Sequence, residues 1–221
     1  MDLAGEGVVC RPSGGLWLAA HGVLVVADLH LEKGSSFAAR GQMLPPYDTG
    51  ETLRRLEAEV AALLPRVLVL LGDSFHDRGA EARLTGADRR RLLALASGRT
   101  LVWVAGNHDA AAPADLAGDT AAAVAFGGLV LVHEPRAGAP AGHVAGHLHP
   151  CARVAARAAS VRRRCFVTDG LRMILPAFGA YAGGLNVRDP VFRPLMDAAP
   201  LAVVLGASRA HPIGWRSLRG D

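Results

Sequence analysis

Three apolar segments in the first half of the chain each end in polar residues that can carry chemistry. They are GVLVVADLH (22–30), RVLVLLGD (66–73) and TLVWVAGNHD (100–109). Nearly continuous apolar runs of this length are typical of strands that are buried on both faces of a sheet. The segments 48–65 and 85–98 lie between them and carry apolar residues at helical spacing. This alternation of strands and helices predicts a parallel sheet with right-handed crossovers.

The second half of the chain has a different pattern. Short apolar stretches and turn glycines, such as Gly127 and Gly128, replace the long helical segments from residue 124 onwards. Short strands joined by tight turns predict a second, mostly antiparallel sheet. We therefore expect an α/β fold in which two sheets form a β-sandwich flanked by helices, with four layers in the order α/β/β/α. We expect a single domain over 1–221, with a motif core at 22–150, an antiparallel sheet at 151–206 and a tail at 207–221.

Composition limits the class of protein. Of the 221 residues, 51% are hydrophobic and 20% are charged, so the chain can bury a large core and is unlike a disordered segment. The net charge of +4 is compatible with an anionic substrate but does not by itself indicate nucleic-acid binding. The first residues lack the pattern of a signal peptide, and no apolar run is long enough to cross a bilayer. Three cysteines without metal-type spacing favour a reducing compartment, so we expect a cytoplasmic protein without membrane association.

The polar residues after the strands form a set of potential metal ligands. In parallel sheets, ligands bind beyond the carboxyl ends of the strands, so we expect these side chains to meet at one edge. Carboxylate, amide and imidazole donors without a thiolate favour Mn²⁺, Fe or Zn²⁺ over a structural thiolate zinc site. One metal does not need so many ligands, whereas a pair of metals suits phosphoryl chemistry. The candidate ligands are Asp28, His30, Asp73, Asn107, His133, His147 and His149.

The order of these residues resembles the calcineurin-like metallophosphoesterases. The five sequence blocks of that family are D-x-H, G-D, G-N-H-D/E, H and G-H-x-H. The matching blocks here are Asp28-Leu29-His30, Gly72-Asp73, Gly106-Asn107-His108-Asp109, His133 and Gly146-His147-Leu148-His149. A single block would be a weak match, but all five occur in order and at predicted strand ends.

The resemblance implies a role for each candidate residue. Asp28, His30 and His149 would hold the first metal. Asn107, His133 and His147 would hold the second, and Asp73 would bridge the two. His108 would not be a ligand and would protonate or stabilise the leaving oxygen, while Asp109 would orient the ring of His108.

The residues between the blocks resemble a narrower group, the bacterial ligase-associated metallophosphoesterases of the DNA damage response endonuclease type. The similar stretches are 27–56, 71–77, 133–135 and 162–187. This resemblance implies a Mn²⁺-favouring enzyme that acts on DNA, single-stranded DNA in particular, and that forms a homodimer. It also implies a functional association with a DNA ligase and a helicase.

We therefore predict a binuclear metal-dependent phosphodiesterase, a DNA endonuclease in DNA repair, in which metal-activated water attacks the phosphodiester. The alternative is a phosphodiesterase for small nucleotides, or a phosphomonoesterase, on the same scaffold. A non-catalytic binding module is a third hypothesis, but such chains usually lack several metal ligands. No long insertion that could form a cap lies between the blocks, which favours an open groove and a polymeric substrate.

Several basic residues near the blocks have two interpretations each. Lys33 and Arg40 could hold a DNA phosphate beside the scissile one, or they could be solvated loop charges. His76 could orient a ligand or contact the substrate, or it could belong to an ordinary turn. The run Arg162-Arg163-Arg164 could follow a nucleic-acid backbone, or it could protect a strand edge from aggregation. The sequence leaves these alternatives open.

Overall fold

A computed structural model describes residues 1–108, 115–155 and 160–221. The helices in these residues are α1 (Lys33–Ala38), α2 (Asp48–Leu63), α3 (Ala80–Arg83) and α4 (Gly86–Ala96), with 3-10 helices at Ala19–His21, Pro190–Leu195 and Trp215–Ser217. None of these helices is long and apolar enough to cross a membrane. The strands are β1 (Asp2–Leu3), β2 (Glu6–Gly7), β3 (Val9–Cys10), β4 (Leu16–Leu18), β5 (Val23–Ala27), β6 (Val67–Leu71), β7 (Thr100–Val104), β8 (Asp119–Ala121), β9 (Ala123–Phe126), β10 (Leu129–Val132), β11 (His143–Ala145), β12 (Cys151–Ala155), β13 (Ser160–Thr168), β14 (Met173–Ile174), β15 (Leu201–Leu205), β16 (Ala210–Gly214) and β17 (Leu218–Arg219).

The first sheet contains the three strands that the apolar runs predict. Its strand order is β3-β4-β5-β6-β7-β8, and β5, β6 and β7 are parallel neighbours. Val23 pairs with Val67, and Val67 pairs with Thr100, so the three strands begin at the same level. Their carboxyl ends therefore share one edge, which is where the polar residues that follow them must lie.

The two long helices begin differently. At α4, the Thr85 hydroxyl accepts a hydrogen bond from the backbone N–H of Asp88, as its position before the helix predicts. At α2, Asp48 is the first helical residue, and no side chain caps the start of this helix. The Asp48 carboxylate instead accepts a hydrogen bond from the backbone N–H of Gly34 at 3.0 Å. Asp48 therefore ties α2 to α1, a tertiary contact that local spacing does not reveal.

The second sheet is mostly antiparallel, as predicted, and includes the hairpin of β9 and β10 around Gly127 and Gly128. Two parallel pairings, β10 with β11 and β11 with β14, interrupt this pattern. The tail expected at 207–221 is instead part of the sheet, since β16 pairs with β15 and β17 pairs with β12. Pro212 within β16 obscured that strand in the sequence, although proline is compatible with a strand at the edge of a sheet.

The two sheets pack face to face, and helices cover the outside of the first one. Val25, Leu131 and Phe166 are among the fully buried residues between the sheets. Leu53 and Leu92, from α2 and α4, pack on the outer face of the first sheet. The outer face of the second sheet is covered in part by the 3-10 helix Pro190–Leu195. The fold is therefore the expected α/β/β/α sandwich, with a 3-10 helix in its last layer.

Candidate metal centre

The predicted ligands of both metals meet at the carboxyl edge of the first sheet. Two groups of side chains have their ligand atoms within 4.8 Å of one another. The groups are Asp28, His30 and His149, and Asp73, His133 and His147. Residues that are far apart in the chain are brought together because β5, β6 and β10 end, and the segment after β11 begins, at the same edge.

In the first group, two imidazoles and a carboxylate converge. The Nε2 atom of His149 lies 3.2 Å from Nε2 of His30 and 3.3 Å from Oδ1 of Asp28. Burial, followed by the neighbouring His149, lowers the pKa of His30 to about 3, so this ring is neutral. A neutral imidazole offers a lone pair, which is the form that binds a metal ion.

Next to the second group, the amide oxygen of Asn107 adds a fourth donor. Oδ1 of Asn107 lies 2.9 Å from Nε2 of His133 and 3.0 Å from Nδ1 of His147. The two ring nitrogens are 3.2 Å apart. The other ring nitrogen of His133 faces the backbone carbonyl of Leu71 at 3.3 Å, and a hydrogen bond there leaves the Nε2 lone pair for the cluster.

The carboxylate of Asp73, a member of the second group, also faces the first group. Its Oδ1 is 3.4 Å from Nε2 of His133, while its Oδ2 is 4.0 Å from Nε2 of His30. Burial raises the pKa of Asp73, but the neighbouring His133 and a hydrogen bond from the backbone N–H of His108 outweigh burial and lower it to about 2. The side chain is therefore an ionised carboxylate with one oxygen directed at each group. Convergent carboxylate, amide and imidazole donors of this kind fit two divalent cations.

The backbone at these positions is unusual. Five candidate ligands have φ angles between 45° and 70°, which residues other than glycine rarely adopt. They are Asp28, His30, Asp73, His147 and His149. Each such residue costs about 1–3 kcal/mol, and strain of this kind concentrates at functional sites. The coincidence of strain with the converging donors indicates a binding site rather than a set of loop residues.

His108 faces the same cluster from its open side. Its Nδ1 lies 2.7 Å from the backbone carbonyl of His76, and its Nε2 lies 3.8 Å from Oδ2 of Asp73. The carbonyl of His76 therefore accepts the Nδ1–H hydrogen bond and turns Nε2 towards the cluster. The orienting role predicted for Asp109 falls outside the described residues. The sequence could not indicate the carbonyl, because a backbone contact has no side-chain signature.

The distances also allow a second role for His108. Together with His30 and Asp73 it forms a third group whose ligand atoms lie within 4.8 Å of one another. Its side chain is 39% exposed, whereas His30 and Asp73 are buried. The predicted assignment of His108 as a non-ligand therefore stays a prediction, and metal content is the measurement that decides it.

The three predicted substrate contacts lie beside His108. The ring of His76 stacks on that of His108 with centroids 5.8 Å apart, and Phe37 lies 6.0 Å beyond it. Lys33 lies over the ring of Phe37 and donates a hydrogen bond to the carbonyl of Tyr181. Arg40 is exposed and close enough to contribute, after burial and nearer charges, to the lowered pKa of His76. The two cations and His76 therefore form one rim of the site.

The loop 179–184, which the sequence did not connect with the site, packs against the metal centre. A Cβ atom on Gly179 would lie 2.1 Å from the carbonyl oxygen of Leu29, and one on Gly184 would lie 2.1 Å from that of His149. The loop backbone therefore packs directly on the first and last ligand segments. The glycines of 179–184 are the only trace of this packing in the sequence, since a close backbone approach leaves no room for a side chain.

Comparisons with known proteins identify the class. The calcineurin-like phosphoesterase family matches residues 21–138, more than half of the chain, and the chain belongs to this family. Among solved structures, the crystal structure of Pseudomonas putida nuclease MPE is similar, with a TM-score of 0.72 and 26% sequence identity. The similarity covers 96% of this chain and 98% of that one. No curated protein sequence matches the chain. The predicted family and fold are thereby confirmed.

Proposed function

We propose that the protein is a binuclear metal-dependent phosphodiesterase that cleaves DNA as an endonuclease in DNA repair. The observation that carries the proposal is the convergence of two ligand groups on Asp73. Membership of a phosphoesterase family and the similarity to a nuclease support it. The repair role, the homodimer, the cytoplasmic location and the association with a ligase and a helicase rest on the narrower sequence resemblance.

The described side chains fit two ions. Asp28, His30 and His149 would hold one, Asn107, His133 and His147 would hold the other, and Asp73 would contact both. Bound divalent ions, with Mn²⁺ the preferred one, supply positive charge to the phosphoryl oxygens and lower the pKa of water.

The leaving group of a phosphodiester is a poor alkoxide, so it needs a proton as the P–O bond breaks. In the proposed mechanism His108 supplies that proton. When the ring is protonated, both nitrogens carry a proton, and Nε2 lies 3.8 Å from Oδ2 of Asp73. As the P–O bond breaks, the leaving oxygen takes the Nε2 proton. The ring then remains neutral, with its Nδ1 proton still donated to the carbonyl of His76.

The open edge of the centre suits a polymeric substrate. Asn107 is exposed, and a cleft of about 360 Å³ beside it is lined by residues that include His133, Glu134 and Arg136. Lys33 and Arg40 lie near His76. A strand passing over the centre could therefore place flanking phosphates near these two cations and near Arg136, which favours DNA over a small nucleotide.

Cleavage of circular single-stranded DNA tests this proposal. We expect metal-stripped protein to be inactive and added Mn²⁺ to restore nicking of the circle, with Mg²⁺ and Zn²⁺ compared in parallel. A circle has no ends, so its cleavage requires an endonuclease. Hydrolysis of a small model diester without any cleavage of the circle would support the small-nucleotide alternative. Stoichiometric metal binding without hydrolysis of either substrate would support a binding module.

The tight packing at Gly72 leads to a second prediction. A Cβ atom there would lie 2.2 Å from Nδ1 of His133, so Gly72→Ala should displace that ring and weaken the second metal position. We expect a loss of metal affinity and of diester hydrolysis of about 10- to 100-fold, as for other changes that disturb ligand orientation. Metal content by mass spectrometry and turnover of a small diester would measure both.

Gly98→Ala is the matched control for Gly72→Ala. The φ angle of Gly98 is +71°, close to the +74° of Gly72, but no atom lies within 4 Å of its would-be Cβ. Both variants should therefore lose about 1 kcal/mol of stability from backbone strain, while only Gly72→Ala should lose metal. Equal metal content in the two variants would contradict the role of His133.

A further inference from the structure

Three arginines stand side by side on the second sheet. Arg153 on β12 is directly paired with Arg162 on β13 and with Arg219 on β17. Directly paired residues share a face of the sheet, so the three side chains form a row across adjacent strands, which we call the arginine row. Like charges placed directly opposite each other destabilise a sheet, so packing alone gives no reason for this arrangement.

Few negatively charged groups lie near the arginine row. Nε of Arg162 lies 3.6 Å from Oδ1 of Asp221, and its Nη2 donates to the carbonyl of Gly184 at 2.6 Å. Nε of Arg153 donates to the neutral hydroxyl of Ser160. Within residues 1–108, 115–155 and 160–221, neither Arg153 nor Arg219 forms an ion pair with a carboxylate. One exposed carboxylate, beside Arg162, therefore faces three guanidinium groups, and the surplus positive charge is available to an external anion.

The row differs from the run of arginines in the sequence. Arg164 is half-buried and donates to the carbonyls of Ala177 and Ala180, so it holds the loop 179–184 in place. Arg163 pairs with Ala152 and lies on the opposite face of β13. Only Arg162 belongs both to the run and to the row. The sheet register thus joins residues that are more than fifty positions apart in the chain.

The row is continuous with the metal centre. Strand β12 begins two residues after His149, and the chain reaches Arg153 two residues later. Gly184, which accepts the hydrogen bond from Arg162, packs against the backbone of His149. Lys33 contacts the same loop through the carbonyl of Tyr181. Because neighbouring strands lie about 4.8 Å apart, the three arginine Cα atoms span about 10 Å across the sheet.

We propose that the arginine row binds the phosphate backbone of the DNA strand whose scissile diester lies at the metal centre. The inference rests on the proposed function and adds a binding surface beyond Lys33, Arg40 and His76. Guanidinium groups bind phosphate oxygens with paired hydrogen bonds, and each contact made with a nucleic-acid strand releases counterions. A nucleic-acid strand fits better than an acidic protein, because the row adjoins a centre built for phosphodiesters.

The test compares the double variant Arg153→Gln/Arg219→Gln with Arg163→Gln, which removes one arginine from the opposite face of β13. Binding of a fluorescent single-stranded DNA oligonucleotide is measured by anisotropy in EDTA, which prevents cleavage, over a series of salt concentrations. We expect the double variant to bind about ten-fold more weakly, with a salt slope smaller by about 1.4 from the loss of two phosphate contacts. Arg163→Gln should match the wild type. Arg153→Lys/Arg219→Lys should retain most of the affinity because it keeps the charges.

Equal DNA affinity and equal salt slope in the wild type and the double glutamine variant would contradict the proposed role of the arginine row. Turnover of a small model diester with Mn²⁺ is measured on the same preparations and separates the two proposals. Normal diester turnover together with weakened DNA binding supports the row. If the wild type hydrolyses no diester, the proposed catalytic function fails, and the binding comparison still decides whether the row contacts DNA.

Discussion

Asp73→Ala is expected to abolish both metal loading and diester hydrolysis. Its carboxylate directs one oxygen at each ligand cluster, 3.4 Å from His133 and 4.0 Å from His30. Removing it takes one ligand from both ions and the only described carboxylate from the second cluster. We expect metal content to fall from two ions per chain towards none, and turnover to fall by at least about 10³-fold. Mass spectrometry of the dialysed protein and hydrolysis of a small diester measure the two effects.

Two further variants distinguish lost metal binding from lost folding. Asp73→Asn keeps the size and one oxygen of the side chain, so it should fold normally while binding metal weakly. Asp169→Ala removes another buried carboxylate, one that is paired with Arg172 rather than with the cluster. It should lower the free energy of unfolding, as breaking a buried ion pair does, and keep both metals. Full activity in Asp73→Ala would show that the bridging assignment is wrong.

His108→Ala is expected to keep the metals but lose most of its turnover. In the proposed mechanism, Nε2 of His108 supplies the proton to the leaving oxygen, so its removal should slow cleavage of an unactivated diester by about 10²–10⁴-fold. A diester with a good leaving group needs no such proton, so its hydrolysis should fall far less. The ratio of the two losses reports acid catalysis in a way that a general disturbance of the site would not.

Metal content is the second measurement to make on His108→Ala. If His108 is a ligand, as the third group of nearby donor atoms allows, the variant should lose an ion and slow both substrates equally. If it is the proton donor, the ion count should match the wild type. Loss of one ion together with an equal loss on both substrates would therefore contradict the catalytic assignment and move His108 into the first cluster.

Local patterns were sufficient where burial alone dictates structure. The runs that became β5, β6 and β7 are apolar throughout, because both faces of a central parallel strand are covered, and their periodicity could be read directly. The cap of α4 was equally local, since Thr85 and Asp88 are one helical turn apart. Strand β16 was missed because it lies at a sheet edge, where exposure and Pro212 remove the apolar signature.

Contacts between distant segments could not be predicted from local patterns. The carbonyl of His76 that orients His108, the link from Asp48 to Gly34, and the packing of Gly184 on His149 all involve backbone groups. A backbone donor or acceptor is the same at every residue, so no residue type records its partner. The sheet register that aligns Arg153 with Arg162 and Arg219 is likewise a property of strand pairing.

The sequence by itself determined the parallel core, the family and the candidate ligands, because apolar runs and metal-binding side chains are properties of residue type. The tertiary structure decided how those ligands divide into two groups, which oxygen of Asp73 faces each group, and which nitrogen of His108 faces the cluster. It also decided which arginines stand together on one face. The physical reason is the same in each case: distance and direction between segments depend on how strands pair and loops pack, and side-chain chemistry alone specifies neither.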